Sequence, residues 1–380
     1  MKRIITVVGA RPQIIKAAAL SRVLRTAEYE GLQEILLHTG QHYDDNMSGV
    51  FFREMDIPEP DVQLDSGSGS HGAQTAKMLS GIEQAIRDHE ADGVLVYGDT
   101  NSTLAAALAA SKMHVPVFHV EAGLRSFDKR MPEEINRIAC DHVSTLLFSP
   151  TRAGISNLQR EGFDISNQGP YHINAPGVFH CGDVMLDNTL YYAEKAKKES
   201  NVLRKLALKE NEFVLATVHR DSNTDDPGRL AAICSALAAI ADSIPVVFPI
   251  HPRTKKCLEA ITNDARITRF LEAPGVKIIP PVSFLDITEL ERACAMVVTD
   301  SGGVQKEAFF LKKPCIILRP HTEWIEIVES GHAILADADT ARIMDGFTSL
   351  RNKSGFTWPE LFGDGHAARF IADTIRRYYL

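Results

Sequence analysis

Two acidic residues stand at the carboxyl ends of what read as neighbouring parallel strands, and a third follows shortly after. The stretch G-V-L-V-Y-G-D-T-N-S-T puts Asp99 behind one apolar run, and V-P-V-F-H-V-E-A-G-L-R puts Glu121 behind the next. M-P-E-E-I-N-R then puts Glu133 behind a proline that opens a helix. Ligands of open parallel sheets bind outside the carboxyl ends of the strands. Carboxylates gathered there repel one another, which makes them candidates for proton transfer. Each has a plainer reading. Asp99 could cap the helix that begins near Asn101. Glu133 could be a first-turn acid, and Glu134 and Arg137 could pair along the helix. Glu121 has no helix to cap.

Three further segments suit an anion. G-A-R-P-Q-I-I-K ends the first strand and opens a helix, so its backbone amides and positive dipole end could meet a phosphate, with Arg11 and Lys16 adding charge. The alternative is a tight strand–helix turn, and a G-x-G-x-x-G fingerprint is absent. T-D-S-G-G-V-Q-K-E ends a strand at Thr299 and turns through Ser301, Gly302 and Gly303. Its consecutive glycines allow close backbone approach, and Glu307, one turn into the helix that follows, is placed to accept from a ribose. T-V-H-R-D-S-N offers His219 as proton donor or phosphate ligand and Arg220 as a charge clamp. His42, Arg125, His251 and Arg319 complete the candidate substrate contacts. One phosphate element in each half of the chain implies a nucleoside diphosphate held across a cleft. His42, Asp44 and Asp45 in Q-H-Y-D-D match no ligand spacing, so neither a metal nor a cofactor is expected.

The elements that must hold these residues alternate strand and helix throughout. Strands are predicted at Ile4 to Val8, Ile35 to Leu37, Val94 to Tyr97, Pro116 to Val120 and Leu146 to Phe148. A second series runs Phe213 to Thr217, Pro245 to Pro249, Val276 to Ile279, Met296 to Thr299 and Cys315 to Leu318. Helices fall between them, from Gln13 to Arg25 onward. Such alternation means parallel sheets with right-handed crossovers. The fold class is therefore α/β, with two doubly wound parallel-sheet domains facing each other across a cleft. Residues 1–177 with a C-terminal helix at 366–380 would form the first domain, and residues 178–365 the second. The segment 166–177, S-N-Q-G-P-Y-H-I-N-A-P-G, has no periodicity and reads as a surface insertion near the boundary.

A chain of 380 residues suits two domains, and its net charge of −8 argues against a nucleic-acid surface while leaving room for a locally basic site. The six cysteines are scattered with no C-x-x-C pair and read as reduced thiols. The opening M-K-R-I-I-T-V-V-G has too short an apolar run for a signal peptide, and no span reaches the roughly 18 apolar residues of a membrane helix. A cytoplasmic enzyme is expected.

Taken in order, G-A-R-P-Q-I-I-K, T-G-Q-H, G-D-T-N-S-T, H-V-E-A-G-L-R, P-E-E-I-N-R, V-H-R and T-D-S-G-G-V-Q-K-E resemble the non-hydrolysing UDP-N-acetylglucosamine 2-epimerase family. The resemblance runs from Gly9 to about Glu326. It implies a GT-B-like fold of two Rossmann-like domains, UDP bound mainly by the second, a homodimer, and inversion at carbon 2 of a UDP-N-acetyl sugar without metal or nicotinamide. Carried over by motif, Asp99, Glu121 and Glu133 match the acid–base carboxylates and His219 the active-site histidine. Arg11 and Lys16 match the basic pair, and Ser301, Gly302, Gly303 and Glu307 the UDP turn and ribose ligand. Arg11 and a protonated His219 are expected to stabilise the departing diphosphate.

Departures from the common pattern bear on the sugar. Thr322-Glu323-Trp324-Ile325-Glu326 stands for T-E-R-P-E, Ser222 for a glutamate in V-H-R-R-E-N, and a short S-F-D-K-R-M loop carries Lys129 and Arg130. These variants resemble the branch acting on UDP-2,3-diacetamido-2,3-dideoxyglucuronate, which supplies a mannuronic derivative for bacterial surface polysaccharide. Tyr43 replaces a basic residue of Q-H-R, which argues against activation by substrate at a second site. The competing classes are UDP-GlcNAc 2-epimerase proper, a GT-B glycosyltransferase, a hydrolysing epimerase and a non-catalytic nucleotide-sugar binder.

Overall fold

The structure is a computed structural model that describes residues 1–40, 56–67, 69–261 and 263–379. The chain divides into two compact units, Met1–Asn188 with Phe362–Leu380, and Thr189–Leu361. Each is built on a parallel sheet with helices between the strands, which is the doubly wound, GT-B-like class of fold.

In the first unit the strands are β1 (Lys2–Val8), β2 (Leu32–His38), β3 (Val62–Gln63), β4 (Gly93–Tyr97), β5 (Val117–Val120), β6 (Leu146–Ser149) and β7 (Gly177–His180). They lie in the order β3-β2-β1-β4-β5-β6-β7. In the second they are β8 (Val214–Thr217), β9 (Val246–Pro249), β10 (Val276–Ile279), β11 (Met296–Thr299), β12 (Cys315–Ile317) and β13 (Ala333–Leu335), ordered β10-β9-β8-β11-β12-β13. Strand order therefore reverses beside β1 and β4 in one sheet and beside β8 and β11 in the other. Crevices at such switch points are where ligands of these sheets bind.

The ten strands read from the sequence are present, and three more were not read: β3, β7 and β13. Each is two to four residues long, too short to show a period. The seventh strand changes the domain assignment. Gly177–His180 pairs with β6, so the first sheet extends past residue 177, and the unit boundary falls inside the helix Val184–Glu199. The C-terminal helix Ala367–Tyr379 packs with the helix Arg11–Leu24, and the Tyr29 hydroxyl donates to Asp373 at 2.8 Å. Residue 166–177 chain is an irregular excursion that leads into β7, with one bridge between His172 and Ala175.

Both cores follow from apolar strand runs covered by helices. In the first, Ile5, Val7, Val94 and Val96 meet Ala105, Ala106, Ala109 and Ala110 of the helix Asn101–Lys112. The alanines let the helices His71–Asp88 and Pro132–Val143 approach that helix closely on either side. In the second, Val214, Ala216, Phe248 and Val298 meet Leu230, Ile233 and Leu237 of the helix Pro227–Ala241. Cys140, Cys234, Cys294 and Cys315 are buried thiols, while Cys181 and Cys257 are partly exposed. Among the described residues no helix is long and apolar enough to cross a membrane.

Leu237 is almost completely buried at the centre of the second core. Leu237→Ala should leave a cavity that costs about 2–5 kcal/mol. A lower thermal midpoint for the second unit, followed by calorimetry, checks this.

Candidate active site

The pairing of β4 with β5 sets Val96 opposite His119 and Tyr97 opposite Val120, so the two chains leave the sheet side by side. The Gly98 amide donates to the Val120 carbonyl at 3.0 Å, which carries the alignment one residue beyond the strands. Asp99 and Glu121 emerge from these two ends. Glu121 has φ of +76°, a left-handed backbone that costs a non-glycine residue about 1–2 kcal/mol. The Phe148 carbonyl at the end of β6 holds it there by accepting from the Glu121 and Ala122 amides, each at 3.0 Å. Strained backbone of this kind gathers at functional sites.

The Lys16 ammonium, one turn into the first helix, pairs with the Glu121 carboxylate, and both side chains are largely buried. Burial alone would lower the Lys16 pKa, but Glu121 and, more distantly, Asp99 and Asp183 raise it above its ordinary value. Asp99 is half-buried. Burial raises its carboxyl above the ordinary value, Arg137 pulls it back, and the neighbouring Glu121 adds to the rise. Gly98 has φ of +64°, and a Cβ there would sit 3.1 Å from a Glu121 carboxylate oxygen and 3.3 Å from the Lys16 nitrogen. Only glycine lets these charges close over the turn.

Glu133 and Glu134 part company. Glu134 is buried and accepts from the Ser126 and Phe127 amides at 2.9 and 3.0 Å, while Arg137 donates to it at 2.6 Å. Burial works against its charge, but those amides hold its pKa below the ordinary value. The second arm of Arg137 pairs with Asp99. Asn136 donates to the Asp99 carbonyl at 2.9 Å and to Asn101 at 3.2 Å. Arg137 thus joins Asp99 to the loop 126–130, beyond the simple helix pair its spacing suggested. Glu133 stands exposed in the first turn of the helix Pro132–Val143, and among the described residues its side chain has no hydrogen bond or ion pair. It is not brought into contact with the other two carboxylates.

Two expectations for this unit are corrected. Arg125, expected to contact substrate, is a buried structural cation. Its guanidinium binds both oxygens of Glu161 at 2.7 Å and reaches Asp141 at 2.7 Å, with its side chain 1% exposed. Asp141 also accepts from His119 at 2.7 Å and from the Gly123 amide at 3.1 Å. The Gly9 and Ala10 amides, expected to face a phosphate, instead donate to the Gln13 side chain at 2.9 and 3.2 Å. Gln13 is in turn fixed by the Tyr97 carbonyl and Thr103. What this turn offers an anion is side-chain charge, with Arg11 exposed at the start of its helix. His42 and Tyr43, with the rest of Q-H-Y-D-D, lie outside the described residues.

In the second unit Ser301 caps the helix Gly302–Phe310, accepting from the Val304 amide at 3.5 Å, so Gly302 and Gly303 occupy its amino end. Exposed backbone at such an end attracts phosphate. A Cβ on Gly302 would lie 3.9 Å from an Arg220 nitrogen and 3.3 Å from Glu323. The fully buried Asp300 accepts from the His219 amide at 3.1 Å, the Arg220 amide at 3.0 Å and the Asn223 side chain at 3.1 Å. It fixes the V-H-R loop against the glycine turn. His251 stands with its ring 5.8 Å from that of His219 and caps its own helix through Nδ1. Glu307 is half-buried within the helix Gly302–Phe310, and its charge adds to the burial that raises Glu291.

Burial is the main reason that the His219 pKa lies below its ordinary value; His251 and Arg220 lower it further and Asp300 offsets only part. Without ligand, His219 is therefore neutral at neutral pH and not the cation expected. Arg319, a candidate substrate contact, forms a two-pronged pair with Glu323 at 2.8 and 2.9 Å. A ligand would meet that pair rather than an open guanidinium. Among the described residues no group of three His, Cys, Asp or Glu side chains could hold a metal ion.

A family model described as UDP-N-acetylglucosamine 2-epimerase matches residues 25–376. The chain belongs to this epimerase family. It is 46% identical over 376 residues to a UDP-2,3-diacetamido-2,3-dideoxy-D-glucuronate 2-epimerase of Pseudomonas aeruginosa, with 99% of each chain covered. It resembles the solved UDP-GlcNAc 2-epimerase of Methanocaldococcus jannaschii with a TM-score of 0.86 at 38% identity, covering 99% of this chain and all of that one. A second structure of that enzyme, in complex with UDP-GlcNAc and UDP, matches with a TM-score of 0.75 at 39% identity and the same coverage.

Within this epimerase-family chain, the residues that sequence reasoning passed over are His119, Asp141, Glu161, Asn136 and Asp300. One signal was available: His119 is a polar residue inside an otherwise apolar strand run, two residues before Glu121. The raised Asp99 carboxyl has a consequence for stability. Its folded pKa lies above the unfolded 3.8, so the stability it contributes below that value is lost as pH rises through the folded pKa. Asp99→Asn should therefore raise the melting temperature at pH 7.5, with the gain shrinking as the pH falls towards 4, while turnover drops at least ~10-fold. Melting curves across that pH range check the sign.

Proposed function

We propose that the protein inverts carbon 2 of a UDP-N-acetyl sugar without releasing the sugar, and that its preferred substrate is UDP-2,3-diacetamido-2,3-dideoxyglucuronate. The observation that carries the reaction is the placing of Asp99 and Glu121 on adjoining strand ends with Lys16 against them, in a chain of this family. The hydrogen on carbon 2 of an unoxidised sugar is too weakly acidic to leave as a proton and give a free carbanion. Its loss is therefore coupled to departure of UDP from carbon 1. The C2–H and C1–O bonds break, a C1–C2 double bond forms, and the products are a 2-acetamidoglycal and UDP. Re-addition of UDP at carbon 1 with protonation of carbon 2 from the opposite face completes inversion. No electrons leave the sugar, so the written reaction requires no redox cofactor.

Proton handling on two faces needs more than one carboxyl group. Glu121, ion-paired with Lys16, suits the acceptor, and Asp99, raised by burial, suits the group that carries a proton. Glu133, exposed in its helix, takes no assigned step here. The diphosphate falls to the Gly302 and Gly303 amides with Arg220, and the ribose to Glu307. A neutral His219 donates one hydrogen bond to the departing phosphate oxygen and gains charge as the anion develops.

The choice of sugar rests on the Pseudomonas relative and on the loop 126–130. Arg130 is exposed and paired with Asp128 at 2.8 Å, which leaves the exposed Lys129 as the better match for a uronate carboxylate. Glu134 and Arg137 tie that loop to Asp99. The reading extends to a homodimer supplying a mannuronate derivative for surface polysaccharide, both of which the family resemblance supports, and to action in the cytoplasm.

The test is incubation in D2O with the diacetamido uronate and, separately, with UDP-GlcNAc, following carbon 2 by NMR. Epimerisation with deuterium uptake and UDP retained is expected, faster on the uronate. Free sugar would mean hydrolysis, and no exchange without an acceptor would mean a transferase or a binder. Glu121→Gln should slow exchange more than ~10-fold; near-normal turnover removes it from the mechanism. Lys129→Ala should raise KM for the uronate by roughly two- to fivefold, the size of one exposed charge pair, and leave KM for UDP-GlcNAc unchanged.

A further inference from the structure

His119 lies inside β5 with no exposed surface, yet both of its ring nitrogens face acceptors. Nδ1 is 2.7 Å from an Asp141 oxygen, and Nε2 is 2.8 Å from the Gly98 carbonyl. A carbonyl oxygen can only accept. Asp141 takes donors from Arg125 and the Gly123 amide as well, so it too acts as an acceptor carboxylate. Neutral imidazole carries one N–H, and one of these two contacts would then set lone pair against lone pair in a water-free site. Only the doubly protonated ring satisfies both.

The charge is balanced on every side. Asp141 on the helix Pro132–Val143 faces His119 and Arg125, and Glu161 beyond the helix Arg152–Arg160 closes the far end of Arg125. The four side chains alternate cation and anion with no net charge. Cys140 also lies against the ring, and His142 approaches Glu161 at 3.6 Å. Burial opposes the His119 charge, but Cys140 and Asp141 outweigh it, so its pKa stands well above the ordinary 6.5.

We propose that His119 is a positioning residue for the epimerase site: as a permanent imidazolium clamped between Asp141 and the Gly98 carbonyl, it fixes Asp99 relative to Glu121. Gly98 immediately precedes Asp99, and His119 is two residues before Glu121. Through Asp141 the same ring is bonded to Gly123, on the far side of the strained Glu121. The clamp therefore grips both strand ends by their backbones rather than by the carboxylates themselves. Its effect on catalysis rests on the epimerase reading above, but its charge state does not.

Two measurements on the full chain test it. In protein labelled with ¹⁵N-histidine, with His119→Gln to assign the signal, both His119 nitrogens should show imidazolium shifts at pH 8.5, where an ordinary histidine is neutral. A neutral tautomer at that pH overturns the proposal. In turnover, His119→Gln should lower kcat on the order of 100-fold, the usual result of a small misplacement of reacting groups, with KM and the Kd for UDP within about twofold. Glu161→Gln, at the half-exposed end of the chain of charges, should lower kcat by roughly fivefold on the same ground. A folded His119→Gln variant with kcat within twofold of the unaltered protein overturns the positioning role. Failure of the unaltered protein on every UDP-sugar would sink the functional reading, and the NMR result would still support or overturn the clamp.

Discussion

Parallel pairing of β4 with β5 is the constraint on which the first unit's candidate site depends, because it delivers Asp99 and Glu121 to the same carboxyl end of the sheet. Two carboxylates so placed repel each other, and the surrounding residues answer that repulsion. Lys16 closes on Glu121, Arg137 closes on Asp99, and Gly98 makes room by having no side chain. Asp99 still stands above its ordinary pKa, chiefly because it is buried, with Glu121 adding to the rise. A group held uncomfortably in its charged form is one that readily carries a proton.

The two units solve the positioning problem in the same way. Each contains a completely buried aspartate that gathers donors from several chain segments: Asp141 in the first, Asp300 in the second. Asp141 collects His119, Gly123 and Arg125, and Asp300 collects the His219 and Arg220 amides with Asn223. Unpaired, either carboxylate would be costly to bury; with its donors it locks irregular backbone at the strand ends. The turns that carry the candidate site residues are thus held by polar bonds beneath them, while the apolar cores hold only the sheets.

What was legible in the sequence was local. Strand, turn and helix follow from apolar runs and glycine, so Asp99, Glu121, Lys16 and the Ser301–Gly303 turn were found where the strands end. What was hidden depended on partners distant in sequence. Arg125 reads as a free cation until Glu161 and Asp141 are folded against it. The Gly9 and Ala10 amides read as an anion site until Gln13 swings back to occupy them. His219 reads as a cation until burial and its neighbours are counted. Motif membership identifies residues that matter, without separating those that touch a ligand from those that hold another residue in place.

The left-handed backbone at Glu121 sets two evolutionary pressures against each other. Glycine is the residue that would relax that conformation, and a single base change turns a glutamate codon into a glycine codon. The substitution that best soothes the backbone is therefore close at hand genetically, and it deletes the carboxylate. On the proposed mechanism, the change that would relieve the backbone is the same one that would remove the proton acceptor.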